Sequence, residues 1–205
     1  MSIQAIIIEL ALWMFVYQFL AFSLPTWASL PLVVLLIAWR FGRKQLREIF
    51  GLKRVISLPV LFLIGNALYT ESSKSLENSP NKTVIIPLQE ELLYRYIVPK
   101  VIQRNSTRST AISSIISTFM FAFAHRKMFD LFSPDMAVCV LVALALGFRT
   151  SYRNKNSIVE SFIIHSLHNM HVMNTPPPER SISPHPFLFY GSMLGWDVYM
   201  NIFRK

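Results

Sequence analysis

The sequence predicts an all-α, polytopic transmembrane bundle of about seven to eight helices. Of the 205 residues, 53% are hydrophobic and only 15% are charged, and the apolar residues gather into long runs. A soluble core of this size cannot bury so much apolar surface, so we expect lipid to cover the remainder. Because each span needs about 20 apolar residues, we expect residues 1–205 to form a single membrane-embedded domain without a second, soluble one.

Eight apolar segments, separated by Pro, Gly and charged residues, are the candidates for these helices. They cover residues 3–24, 27–39, 55–69, 84–103, 109–125, 134–149, 157–173 and 186–203. The second and third are short and contain Pro31 and Pro59, so we expect a tilt, a kink or a re-entrant path there. Glu9 interrupts the first segment, which has no basic start, so we expect a retained helix and not a signal peptide.

The chain carries 20 Lys and Arg residues against 11 Asp and Glu residues. These basic residues form no single patch and alternate with apolar runs, which argues against a nucleic-acid partner and indicates membrane topology. If the N-terminus is cytoplasmic, most of the positive charge, including Arg104 and Arg149, falls in loops on that side. Cys139 is the only cysteine and lies in an apolar run, so it is predicted to be a packing residue.

A first group of polar residues, 89–95 (QEELLYR), lies inside the fourth apolar segment. Charged side chains at membrane depth are costly unless they are paired. Glu91 and Arg95 stand four residues apart on one helical face and can form a structural ion pair. Glu90 is rotated from that face by about 100°. A carboxylate without a cationic partner in such a setting is suited to general-base catalysis, which makes Glu90 a candidate catalytic residue.

Two further apolar segments also contain polar residues. His125 ends the fifth segment, one helical turn after Phe121, although a histidine in that position is more often a plain helix-end residue. His165 and Asn169 in the seventh segment share a face because they stand four residues apart. Since neighbouring helices run in alternate directions and rise by about 1.5 Å per residue, the polar groups of all three helices fall in one layer. Because these polar groups fall in one layer, we predict that they form a single site.

The three polar motifs, in this order on successive apolar segments, resemble those of a known family. They are Glu90-Glu91-x-x-x-Arg95, Phe121-x-x-x-His125 and His165-x-x-x-Asn169. The family is that of the type II CAAX prenyl endopeptidases and bacteriocin-processing proteins (CPBP or Abi), which includes the Ras-converting enzyme. The resemblance covers the motif core, residues 84–173. Tyr96 departs from the family pattern, which often has glycine after the arginine.

The resemblance implies a glutamate-dependent intramembrane endopeptidase that cleaves a prenylated or otherwise membrane-associated protein or peptide. Its catalytic residues would be Glu90 and His125, which activate water, and His165 and Asn169, which stabilise the oxyanion. Supporting residues would be Glu91, Arg95 and Phe121. We expect no cofactor and no metal, and the expected partners are membrane lipid and the substrate. The protein would be an integral, multi-pass membrane protein of the endoplasmic reticulum in a eukaryote or of the inner membrane in a bacterium.

Other functions stay open at this point. A zinc-dependent membrane protease is the nearest, because one glutamate and two histidines form a plausible zinc set; however, the sequence has no His-Glu-x-x-His motif, and Asn169 is a poor zinc ligand. A non-catalytic immunity or scaffold protein of the same family is a second alternative. A proton-relaying transporter is a third, but no inverted repeat supports it.

Overall fold

The computed structural model describes residues 3–50, 84–105, 110–125, 133–153, 157–174 and 185–200. These residues form helices and contain no strand, which confirms the predicted all-α class. The predicted third segment, residues 55–69 with Pro59, lies outside the described residues.

The N-terminal part contains three helices, α1 (Ile3–Ser23), α2 (Thr26–Phe41) and α3 (Arg43–Ile49). Helix α2 continues through Pro31 and is longer than the predicted segment. Helix α3 was not predicted, because its sequence RKQLREI is too polar and too short to stand out as an apolar run. Gly42 joins α2 to α3 with a φ of 90°, a backbone conformation that glycine adopts without strain.

Glu9, which interrupts the apolar run of α1, has a partner on α2. Its carboxylate oxygen Oε1 lies 2.7 Å from Nη2 of Arg40. This ion pair explains how an acidic residue is accommodated in the first helix, and it joins α1 to α2.

The centre of the chain is one continuous helix with a π-helical middle. Helix α4 (Ile86–Glu90) runs into a π-helical segment (Glu91–Ile97) and then into α5 (Val98–Asn105). The backbone N–H of Val98 donates to the carbonyl oxygen of Leu93, five residues earlier, which is the hydrogen-bond pattern of a π-helix. All residues of the π-helical segment are buried, so this segment lies at the core of the described structure.

The C-terminal part contains α6 (Thr110–Ala124), α7 (Pro134–Phe148), α8 (Val159–Asn174) and α9 (His185–Val198). Their bounds lie close to those of the predicted segments. Helix α7 begins at Ser133, whose hydroxyl oxygen accepts a hydrogen bond from the backbone N–H of Met136 at 3.2 Å. At its other end α7 continues as a π-helical segment, Arg149–Arg153.

Hydroxyl groups hold α6 against its neighbours. The buried face of this helix carries Ser113, Ser114, Ser117 and Thr118. The Ser117 hydroxyl donates to the backbone carbonyl of Tyr94 in the π-helical segment. The Ser114 hydroxyl lies 2.9 Å from that of Ser151, which follows α7. Because small side chains allow helices to approach closely, these contacts place α6 against both π-helical segments.

Large apolar side chains point outward from several helices. Examples are Ile8, Phe15, Trp39, Phe119, Phe123 and Leu188, each of which is more than half exposed. Within the described parts of the chain, one helix is long and apolar enough to cross a membrane, at residues Pro134–Ser151. Shorter apolar helices cover Ile3–Tyr17, Ala28–Phe41 and Thr110–Ala124.

Candidate active site

Three helices bring Glu90, His125 and His165 together. Glu90 ends α4, His125 directly follows α6, and His165 lies in the second turn of α8. The two carboxylate oxygens of Glu90 lie 3.5 Å from the Nε2 atoms of the two imidazoles, Oε1 from His125 and Oε2 from His165. The carboxylate of Glu90 therefore lies between two histidines, and 13% of its side chain is accessible.

Glu91 stands on the other side of His165. Its carboxylate is fully buried, with Oε1 at 2.9 Å from Nδ1 of His165 and Oε2 at 3.6 Å from Nε of Arg95. The predicted Glu91–Arg95 ion pair is thus present, and it extends through His165 to Glu90.

Phe121 is the aromatic centre of this cluster. Its ring centroid lies 4.3 Å from that of His125 and 5.8 Å from that of His165. The guanidinium carbon of Arg95 lies 5.0 Å from the same ring, within the range of a cation–π contact. Phe121 therefore separates the positive charge of Arg95 from the two imidazoles and fixes their ring planes.

The hydrogen-bond partners of the two imidazoles indicate which ring nitrogen of each carries a hydrogen. Nδ1 of His125 lies 2.9 Å from the backbone carbonyl oxygen of Phe121, and Nδ1 of His165 lies 2.9 Å from the carboxylate of Glu91. Both partners are acceptors, so both Nδ1 atoms carry a hydrogen. The two Nε2 atoms are then free to exchange a proton with Glu90.

Asn169, His168 and His171 lie along α8, and His185 begins α9. Asn169 follows His165 by one turn on the same face and is half-buried. His168 packs its ring against that of Tyr190 in α9, with the centroids 5.4 Å apart. The side chain of His171 lies outside the described residues.

Three polar residues beside the motifs were not predicted from the sequence. Gln89 is buried and donates a hydrogen bond to the Ser29 hydroxyl of α2, which fixes α4 next to Glu90. Ser161 lies one turn before His165 and donates to the backbone carbonyl of Ile158 at 2.9 Å, and Ser117 donates to the backbone of the π-helical segment. Ser117 shares a helical face with Phe121 and His125 through its i, i+4 and i+8 spacing, which was a usable signal.

We tested whether the side chains form a metal site. In the segments that the structure describes, no three His, Cys, Asp or Glu side chains are grouped in a way that could hold a metal ion. The geometry instead pairs nitrogen and oxygen atoms directly at hydrogen-bonding or ion-pairing distance.

Comparison with known proteins agrees with the motifs. Residues 78–171 match the family model described as type II CAAX prenyl endopeptidase Rce1-like. Neither the comparison with curated proteins nor that with solved structures gave a match. The matched region contains all seven residues of the three motifs, and at family level it supports a membrane protease of the CAAX type with a protein or peptide substrate. Residues 78–171 of the chain are thus similar to the type II CAAX prenyl endopeptidases of the Rce1-like family.

Proposed function

We propose that this protein is a glutamate-dependent intramembrane endopeptidase that cleaves a prenylated or otherwise membrane-associated protein or peptide. The observation that carries the proposal is the position of the Glu90 carboxylate, between the Nε2 atoms of His125 and His165 at 3.5 Å from each. Such an arrangement can take a proton from water and return it to a leaving group, which is the proton transfer that amide hydrolysis requires.

The first step of the reaction is attack by water. A water molecule held by Glu90 and His125 loses a proton to Glu90, and its oxygen bonds to the carbonyl carbon of the scissile amide. The carbonyl oxygen becomes an oxyanion. His165 and Asn169 stabilise this oxyanion as donors, and the Glu91 carboxylate, 2.9 Å from Nδ1 of His165, holds the imidazole in place.

The second step breaks the amide bond. As the carbon–nitrogen bond breaks, the proton held by Glu90 moves to the leaving amine, and the other product leaves as a carboxylic acid that releases its hydroxyl proton to solvent. Glu90 returns to its starting state. Glu91, Arg95 and Phe121 take no part in bond exchange; they hold His165 and His125 in place through the contacts of 2.9 Å and 4.3 Å described above.

The surroundings of the site support a membrane location. The outward faces of α1, α2, α6 and α9 carry large apolar side chains, among them Trp39, which is 82% exposed. Such faces are unfavourable in water and are typical of contact with lipid. We therefore propose that the helices form one polytopic domain, with the polar cluster inside and the apolar faces outside.

The test uses the purified, detergent-solubilised protein and a farnesylated peptide with a C-terminal CAAX sequence. Glu90→Gln keeps the shape of the side chain but cannot accept a proton, so we expect turnover to fall by about a hundredfold to ten-thousandfold. Glu48→Gln is the matched control, because Glu48 is 31% exposed and pairs with Lys100 at 3.9 Å outside the cluster. Turnover of Glu90→Gln close to that of the unmodified protein would contradict the proposal.

The same assay separates the proposed mechanism from that of a zinc protease. A proton-transfer mechanism built on Glu90 and His125 needs no metal, so we expect full turnover after dialysis against a chelator. Loss of turnover that zinc restores would assign the histidines to a metal instead.

A further inference from the structure

A second cluster of buried charges lies outside the catalytic motifs. Arg149, Glu160 and Asp197 are 4%, 5% and 2% exposed. Nη2 of Arg149 lies 2.7 Å from Oε1 of Glu160, and Nη1 of Arg149 lies 3.3 Å from Oδ2 of Asp197. We call these three residues the clamp. The clamp joins the end of α7, the first turn of α8 and the end of α9.

Two members of the clamp lie where the helix dipole favours their charge. Arg149 follows the C-terminal end of α7, where the helix dipole favours a cation, and Glu160 is in the first turn of α8, where the dipole favours an anion. If one of the three helices moved, an ion pair of the clamp would break and leave a buried charge without its partner. This would cost free energy, so such a movement is opposed. The clamp therefore fixes the relative positions of the three helices.

The clamp acts on the part of α8 that carries the site. Glu160 lies five residues before His165 on the same helix, and His165 contacts the Glu91 carboxylate at 2.9 Å. The start of α8 is held a second time, by a hydrogen bond of 3.0 Å from the backbone N–H of Ile158 to the carbonyl oxygen of Ile49. With Glu160 held, rotation of α8 about its axis is restricted, and this rotation determines whether His165 reaches both Glu91 and Glu90.

We propose that Arg149 is a positioning residue for His165: it sets the rotation of α8 through Glu160 and Asp197 and thereby aligns the imidazole between the two glutamates. This inference rests on the proposed function, because the role of His165 in turnover is part of that proposal. A misplacement of about 1 Å far from the reacting atoms can lower a rate by about a hundredfold, so the alignment has a measurable effect on catalysis.

The kinetic test uses Arg149→Lys and Asp197→Asn, which shorten or weaken the clamp without removing its central cation. For the folded fraction of each variant we expect kcat to fall by about ten- to a hundredfold, with KM within a few fold. The matched control is Arg40→Lys, because Arg40 also joins two helices through an ion pair of 2.7 Å, here with Glu9 on α1. Unchanged kcat in both clamp variants, with the unmodified protein active, would overturn the inference.

A stability measurement tests the same inference without activity. Melting temperatures in detergent are compared for Arg149→Lys, His165→Asn and the double variant, and for the same cycle built with Arg40→Lys. Coupled positions give a double-variant shift that differs from the sum of the single shifts, whereas independent positions give additive shifts. We expect coupling in the first cycle and additivity in the second. Additive shifts in both cycles would overturn the positioning role of Arg149, whether or not any peptide is cleaved. If no peptide is cleaved, that result counts against the proposed function alone.

Discussion

Arg149 in the clamp meets two carboxylates, at 2.7 Å and 3.3 Å, whereas Arg95 in the catalytic cluster meets one, at 3.6 Å. Both arginines are buried. Among the described residues, Nε, Nη1 and Nη2 of Arg95 have no hydrogen-bond partner, while Arg149 leaves only Nε without one. The two buried arginines thus differ in how completely their hydrogen-bonding capacity is used.

This difference separates a structural role from a chemical one. Close charge pairs resist movement and fix the helices that carry them. The looser contact between Arg95 and Glu91 leaves the Glu91 carboxylate available to His165, which binds it at 2.9 Å. The clamp, in contrast, uses its two closer charge pairs to keep the surrounding helices in place.

The largest expected effect on stability comes from removing the central cation of the clamp. Arg149→Met leaves two buried carboxylates without their partner, which we expect to lower the free energy of unfolding by about 3–5 kcal/mol. Arg95→Met leaves only Glu91, which still binds His165, so its effect should be smaller; Glu90→Gln leaves no unpaired charge and should have the smallest effect. Thermal unfolding in detergent measures all three. Equal shifts would remove the distinction between the two clusters.

The next effect concerns Asn169, which should affect the rate and not the stability. Removing one preorganised oxyanion donor lowers turnover by about a hundred- to a thousandfold, because the interaction forms fully only as negative charge develops. Asn169→Ala should therefore lower kcat strongly and leave KM within a few fold. His168→Ala is the control on the same helix, since His168 packs on Tyr190. A raised KM with unchanged kcat would instead assign Asn169 to substrate binding.

The smallest effect is expected at Ser117, which links the two helices of the catalytic cluster. Ser117→Ala leaves the carbonyl group of Tyr94 without this buried donor, and we expect a loss of about 1–3 kcal/mol of stability. The exposed Ser192→Ala change on α9 is the control and should fall within about 0.5 kcal/mol. If both serine variants melted alike, the contact between α6 and the π-helical segment would contribute nothing measurable.

Most of the catalytic cluster could be predicted because its residues obey simple helical spacing. Glu91 with Arg95, Phe121 with His125 and His165 with Asn169 all stand four residues apart, and apolar runs mark the helices that carry them. The layer argument predicted that Glu90, His125 and His165 would meet. The structure adds the direct contact of Glu91 with His165, which depends on the packing of α8 and not on spacing within one helix.

The clamp could not be predicted in the same way. Arg149 was counted among the positive charges of a loop, where basic residues commonly flank a span, but the structure buries it against Glu160 and Asp197. The two partners of Arg149 lie on other helices, and neither belongs to a group of regularly spaced polar residues. No periodic pattern in the sequence therefore connects the three residues. The π-helical segment was not predicted either. The hydrophobic pattern does not indicate whether a backbone N–H group donates to the carbonyl oxygen four residues earlier, as in an α-helix, or five residues earlier, as in a π-helix.

The π-helical segment determines how far α4, which carries Glu90, is rotated about the helix axis relative to α5. A π-helical turn contains an additional residue, and each residue of a helix contributes a rotation of about 100°. Removal of one residue between 91 and 97 would therefore turn Glu90 by about that angle away from both imidazoles while α5 kept its packing. The catalytic geometry thus depends on the number of residues in this turn as well as on their identity, and a helix of the same composition without the wide turn would present its carboxylate to a different neighbour.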